Sequence, residues 1–480
     1  MLDKLFAIRG VDIQNQENAN SGLKRILGPW ALTALGVGSI IGTGIFVMTG
    51  QAAAEHAGPA IVLSFLLAGC ICGFSALCYA EFSSMIPVAG SAYSYAYATM
   101  GELAAWFIGW NLVLEYGISI SAVAVSWSSY FLSFMQHFGL GLPSQLANSP
   151  IVFSQGHLAL TGAWFNLPAV LVVLLLTGVC YVGIREAAWL NNAIVALKVG
   201  VVLLVILVGW HFVNSANWHP FIPPRSGDHY GWTGVFRGAS VIFFAYVGFD
   251  AVTTASMEAK NPTRDMPFGI MASLIICTLL YIAMSGVLTG MESYTRLGTD
   301  APVVTALLRH PALGWLRIVV EIGAIAGLAS VILVMIVSQA RIFFITARDG
   351  LLPPIFARIH PRYRTPHLNT LITGVVAALI GGLFPLDILG DLMSMGTIMG
   401  FMAVCLGILI LRRTRPDLHR PFRVPCAPVV CTIGVLSTFG LLLTMGLRNW
   451  LLLGAWTAIG LLIYFGYGFR HSKLRDQSQS

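Results

Sequence analysis

Twelve apolar stretches of membrane-crossing length follow one another along this 480-residue chain, and two of them are broken by glycine. They lie at 30–48, 59–84, 104–135, 167–184, 189–213, 234–257, 267–290, 314–347, 368–384, 388–411, 426–446 and 449–469. A run of about 20 apolar residues crosses the hydrocarbon core as a helix, because lipid offers no partner to an unpaired N–H or C=O. Only 10% of the residues are charged, against roughly 25% in a soluble domain, so the length is taken up by spans. The expected fold class is an all-α polytopic membrane protein.

The two broken stretches are GSIIGTGIF, Gly38 to Phe46, and FFAYVGFD, Phe243 to Asp250. A helix broken at bilayer depth exposes backbone polar groups that survive only around a solute cavity, which predicts a transporter. In span 1, Gly42 and Gly44 flank Thr43, and unwinding there presents N–H groups at a half-helix N-terminus, an anion site. In span 6, the chain from Phe244 to Gly248 can leave carbonyls pointing inward, a cation site. Facing one another, the two suit a zwitterion. Gly38 and Gly42 also form a GxxxG pair, which taken alone reads equally as close helix packing.

Sidedness follows from Lys and Arg. Twenty lie in the N-terminal segment, the 341–364 connection, Arg412 to Arg423, the tail, and at Arg185, Lys260 and Arg264. Six lie at Arg225, Arg237, Arg296, Arg309, Arg317 and Arg448, with Lys198 inside a span. Both termini are therefore expected to be cytoplasmic, and the net charge of +7 reflects orientation rather than nucleic acid binding. Residues 1–29 show no cleavable signal peptide. No outward loop carries an Asn-X-Ser/Thr acceptor, which points to a bacterial inner membrane.

No metal-ligand spacing or nucleophile–base–orienter set stands out, so an enzyme, a metal and a resident cofactor are not expected. The eight cysteines read as small core residues without disulfides. Since spans 1 and 6 are the broken ones, spans 1–5 (30–213) and 6–10 (234–411) read as repeats of opposite orientation. Spans 11 and 12 (426–469) sit outside that core, suiting packing or a dimer, between the 1–29 segment and the 470–480 tail. A monomer and a homodimer both remain open.

Lys198 falls about 13 Å into span 5 at 1.5 Å per residue. A charge there costs between about 2.5 and 17 kcal/mol, which makes Lys198 a candidate proton carrier, with a fixed structural cation as the alternative. Gly323, Gly327 and Ser330 give span 8 a small face to receive it. Span 3 carries a polar stripe, Asn111, Glu115, Ser119, Ser126 and Ser129, in which Glu115 is the one carboxylate. Glu115 either meets the side-chain charge of arginine, lysine or ornithine, tunes the cavity for protons, or is a buried acid bonded to a neighbouring helix. Glu321 is placed to pair with Arg317. Asp250 suits an inner gate, Glu81 a pairing with cytoplasmic bases, and Glu258 the anchoring of the Lys260–Arg264 loop.

GSIIGTGIF, EFSSMIPVAGSAYSYAY from Glu81, GIREAAWLNN from Gly183, FFAYVGFD, EAKNPTRDMPFGI from Glu258 and RIFFITARDGLLP from Arg341 together resemble the amino acid, polyamine and organocation transporters. The likeness is strongest to the bacterial cationic amino acid branch. It implies a LeuT-type 5+5 inverted repeat plus two helices, carrying amino acids by alternating access. It places the substrate carboxylate on the backbone at Ile40, Thr43 and Gly44, and the ammonium on carbonyls of Phe244, Ala245 and Val247. It also makes Phe244 an aromatic gate and Lys198 a bridge between spans 1 and 8 in place of a sodium ion. The expectation is a proton-coupled importer of L-amino acids, cationic or small neutral. An exchanger, a sodium-coupled carrier and a non-transporting amino acid sensor are the alternatives.

Overall fold

A computed structural model describes residues 25–86, 91–154, 157–183, 187–227 and 229–473. The expectations for residues 1–24, the 87–90 turn, Arg185 and the tail beyond 473 lie outside the described residues. Eight helical stretches are long and apolar enough to cross a membrane, and four shorter apolar helices bring the described spans to twelve. Span 1 is discontinuous: Pro29–Ile40 stops, and helix resumes from Gly44 to Ala57. Spans 2 to 5 are Ile61–Met85, Glu102–His137, Leu167–Val182 and Ala187–Gly209. Span 6 runs Gly231–Ile242, tightens into a turn at Phe243–Tyr246 and ends with Ala251–Thr254. Spans 7 to 10 are Pro262–Met291, Gly314–Arg348, His367–Leu383 and Leu386–Thr414; spans 11 and 12 are Ala427–Leu443 and Leu447–Ile463, the last continuing to His471.

Local chemistry sets these ends. Proline stands in the first turn of spans 1, 4 and 7, where its missing N–H has no intrahelical acceptor to lose. The Asn166 side chain caps span 4 by accepting from the Ala169 N–H at 3.2 Å. Span 1 runs nine residues beyond its expected end at Met48, as far as Ala57, and Gly58, at φ +61°, turns the chain into span 2. The 3–4 connection, expected only as a polar loop, holds a hairpin, Ile151–Ser154 against His157–Leu160.

Burial sorts the spans. The most apolar windows of spans 3 and 6 are 83% and 89% buried, whereas that of span 12 is 22% buried and turns leucines outward. Spans 3 and 6 therefore form the centre of the bundle and span 12 its rim. Span 12 is fastened to span 3 by a reciprocal tryptophan pair: Trp110 donates to Trp456 O at 2.8 Å, and Trp456 donates to Trp110 O at 3.0 Å. Their rings stack at 4.4 Å.

The described chain ends share one side of the bundle, the terminal side. Leu27 bridges to Ala259, and the Lys473 N–H donates to Asp349 O at 3.2 Å. On that side Glu81 accepts from Arg412 at 3.1 and 2.5 Å and from the Val424 N–H at 2.7 Å, with Arg420 3.5 Å away. The Glu258 carboxylate faces Arg341 at 3.8 Å rather than Lys260 or Arg264, and its carbonyl accepts from Ile26 and Leu27. It thus anchors the start of span 1. On the opposite side Arg317 donates to Glu321 at 2.9 Å, and Glu321 also accepts from Ser133 at 2.6 Å, tying span 8 to span 3.

Candidate functional site

The two breaks cross at the centre of the bundle, and glycine permits the contact. A Cβ on Gly44 would fall 2.3 Å from Ala245 Cβ. Gly248, at φ +124°, lies where a Cβ would meet the Ser39 carbonyl carbon at 2.7 Å. Position 39 thus meets 248 while position 44 meets 245, so the breaks run antiparallel. The helix resuming at Gly44 opens with the unpaired first-turn N–H groups usual at a helix start, although that of Phe46 donates back to Gly42 O at 3.3 Å. On the facing strand of chain, Val247 is extended at ψ 133° and ends the turn at Phe243–Tyr246.

Between them lies a cavity of about 10 Å³, room for one water. Ile40, Thr43, Gly44, Phe244, Ala245 and Val247 all line it. The Thr43 hydroxyl is buried with no hydrogen-bond partner among the described residues. The remaining wall is Ser39 and Gly42 of span 1, Ser119 and Val123 of span 3, Val331 and Met335 of span 8, and Met393 of span 10. A solute larger than water fits only once these walls part.

Two tyrosines hold the breaks open for bonding. The Tyr281 hydroxyl of span 7 lies 2.8 Å from Ile40 O and 2.7 Å from Ala245 O. The Tyr130 hydroxyl of span 3 donates to Phe46 O at 2.6 Å. Neither was singled out from the sequence. The available signal was a phenol in mid-span, whose O–H must find an acceptor once buried.

Lys198 does not line the cavity. Its ammonium, fully buried, donates to Gly38 O, to Ile41 O at 3.0 Å and to Ser330 Oγ at 3.3 Å. It therefore joins the carbonyls freed at the end of Pro29–Ile40 to span 8. Its stem lies against Gly327, where a Cβ would sit 3.3 Å from Lys198 Cβ.

Glu115 also lies outside the cavity lining, one turn along span 3 from Ser119 toward the terminal side. It packs against Gly396 and Gly400 of span 10, and its Oε1 is buried without a partner among the described residues. Next to it in sequence, Tyr116 donates to Asp250, whose other oxygen accepts the Gly248 N–H at 3.1 Å. Asp250 is thus built into the span 6 break itself.

Twelve apolar spans around two opposed helix breaks define a polytopic secondary-active transporter. The chain belongs to the amino acid permease family, whose pattern matches residues 27–461, and so to the amino acid, polyamine and organocation superfamily. It is 44% identical over 473 residues to the methylthioribose transporter of Bacillus subtilis, covering 98% of this chain and 100% of that one. It is 43% identical over 472 residues to the branched-chain amino acid permease BcaP of the same organism, covering 98% and 99%. Against the vacuolar cationic amino acid transporter 4 of Arabidopsis thaliana it is 37% identical over 386 residues, covering 80% of this chain and 63% of that one. The particular likeness to the cationic branch is thus corrected: the two Bacillus subtilis carriers match more of the chain at higher identity than the cationic transporter does.

Proposed function

We propose that this protein is a proton-coupled importer of neutral, apolar L-amino acids of branched-chain or thioether type. The observation that carries this is the cavity's division of labour. Backbone of the two breaks forms part of its lining, and beside Ser119 the side chains of Val123, Val331, Met335 and Met393 supply an apolar and thioether remainder. A carboxylate at Ile40, Thr43 and Gly44 finds N–H groups, an ammonium at Phe244, Ala245 and Val247 finds carbonyls, and the side chain meets hydrocarbon and thioether. Among the described residues no charged side chain lines the cavity, which disfavours a lysine or arginine substrate despite Glu115 nearby. The names of the two relatives at 43–44% identity support a compact apolar group on the solute.

Phe244, in the cavity wall, is the proposed gate. Lys198 is the proposed coupling group, because a change in its protonation alters its grip on Gly38 O and Ile41 O. No resident cofactor is invoked. The antiparallel crossing of the breaks supports repeats at 30–213 and 234–411, with a LeuT-type inverted arrangement and spans 11 and 12 outside it. The Lys/Arg distribution supports a cytoplasmic terminal side, and outward loops without an Asn-X-Ser/Thr acceptor support a bacterial inner membrane location.

Proteoliposome uptake tests the reading. Labelled leucine, methionine, alanine and arginine are supplied with and without an inside-alkaline pH gradient, and the series is repeated with Lys198→Ala. Leucine or methionine should accumulate only with the gradient, and the variant should lose that response. Accumulation without a gradient, uptake only against preloaded amino acid, or arginine as the preferred substrate would each replace the proposal.

A further inference from the structure

On the side of the bundle opposite the chain ends, the last turn of span 1 is held by the approach to span 6. That turn, Ala53–Ala57, is wide, with the Ala53 carbonyl accepting from the Gly58 N–H five residues on. The next three carbonyls find donors in the 5–6 connection. Tyr230 Oη donates to Ala54 O at 2.6 Å, His229 Nδ1–H donates to Glu55 O, and the Tyr230 N–H donates to His56 O at 2.8 Å. Gly234 permits this approach, since a Cβ there would fall 2.1 Å from His56 O. Tyr230 leads directly into span 6 at Gly231, so the clasp joins the two broken spans at their far ends.

Two histidines face each other across it. The rings of His56 and His229 are stacked, with 10° between their planes and centroids 6.1 Å apart. The His56 side chain is 15% exposed, and its Nδ1 is buried without a hydrogen-bond partner among the described residues. Its Nε2 lies 4.0 Å from the carboxylate of Glu55, which reaches into water.

The other charges around the pair are largely committed. Arg237 of span 6 and Asp391 of span 10 both face His56, but they pair with each other at 3.2 Å and so offset one another there. Asp387 of span 10 faces Glu55. From the 7–8 connection comes Tyr294, edge-on to Tyr230 at 5.6 Å, while Arg296 beside it lies 3.8 Å from Glu292. His229, flat against His56, is the neighbour of a residue type that changes charge between pH 5 and 8. One proton on the pair leaves a single charge opposite a neutral ring. A second proton sets two like charges face to face, and they repel.

We propose that His56 and His229 form a proton-operated clasp between spans 1 and 6, made while at most one ring is charged and released when both are. Protonation of apposed histidines opens interfaces in this way elsewhere. Release frees the end of the helix whose start, at Gly44, lines the central cavity. Acid on this side of the bundle therefore loosens the cover over the span 1 break. The clasp involves neither Lys198 nor any cavity residue, and it stands or falls independently of the solute carried.

Hydrogen–deuterium exchange read by mass spectrometry, on the full-length protein in lipid nanodiscs, tests it. Peptides covering 50–58 and 229–235 are compared at about pH 7.5 and about pH 5, either side of the histidine range, after correction for intrinsic exchange rates. Their protection should fall by about tenfold or more in acid, the effect of one like-charge contact, while span 3 stays protected. His229→Gln, at an exposed position, should hold its protection at both pH values, and His56→Gln should do the same. Lys198→Ala should still show the fall, which separates the clasp from proton movement at the centre. Equal protection of the wild type at both pH values, an equal fall throughout span 3, a fall that survives in His229→Gln, or its loss in Lys198→Ala would overturn the proposal.

Discussion

Replacing Lys198 with methionine keeps the length of the side chain and removes the ammonium that hydrogen-bonds the span 1 break to span 8. In the wild type the ammonium satisfies Gly38 O and Ile41 O and lies 3.3 Å from Ser330 Oγ, at a position with 0% exposure. Ser330 loses little, because its hydroxyl still donates to Gly327 O at 2.8 Å. The two carbonyls are stranded, and a buried unsatisfied acceptor costs about 1–3 kcal/mol. Together they destabilise the break by about 2–6 kcal/mol, which lowers the population of the intact arrangement by about thirtyfold to twenty-thousandfold. Two measurements in proteoliposomes separate the roles. Loss of pH-driven leucine accumulation with residual downhill counterflow is the expected result, accompanied by a lower melting temperature of the purified protein. Wild-type accumulation together with a wild-type melting temperature would refute the reasoning, since neither a proton carrier nor a carbonyl clamp would then have been removed.

Four further perturbations follow from the same geometry. Gly44→Ala puts a methyl 2.3 Å from Ala245 Cβ and must push spans 1 and 6 apart by more than 1 Å, so initial uptake should fall by about a hundredfold. Gly200→Ala, with open space around its Cβ, should transport normally in the same assay. Glu115→Gln should leave the preference for leucine over arginine unchanged in competition assays while slowing turnover, because its carboxylate faces Gly396 and Gly400 rather than the cavity. Asp391→Ala should lower thermal stability, by about 1–3 kcal/mol after allowance for partial exposure, since it leaves Arg237, Arg448 and Asn449 without the carboxylate they share at 3.2, 3.4 and 2.7 Å.

Apolar run length and glycine placement made much of this molecule readable in advance. The lipid constraint allows few alternatives to a helix for twenty apolar residues, so most span ends fell within a few positions of the observed ones. Gly44 and Gly248 marked where two backbones approach, and the residues beside them do line one cavity. Pairs far apart in sequence were harder to read. Tyr116 and Asp250 are 134 residues apart and Tyr281 and Ile40 are 241 apart, and no local periodicity encodes which helix faces which. Glu258 was misassigned for the same reason: neighbouring bases in sequence were weighed, while Arg341 arrives from another span. The stripe on span 3 was visible, but its polar residues divide between the central cavity and span 10, a rotation that a single helix does not reveal.

The phenol of span 7 has one hydrogen to give and two carbonyls, Ile40 O and Ala245 O, within reach. Whichever oxygen it serves, the other goes without that hydrogen, so the meeting point of the two broken helices carries one acceptor more than the phenol can serve. On the proposed reading, an ammonium at Ala245 supplies the missing donor without breaking a bond. Part of the pull on a solute would then be written into the backbone itself.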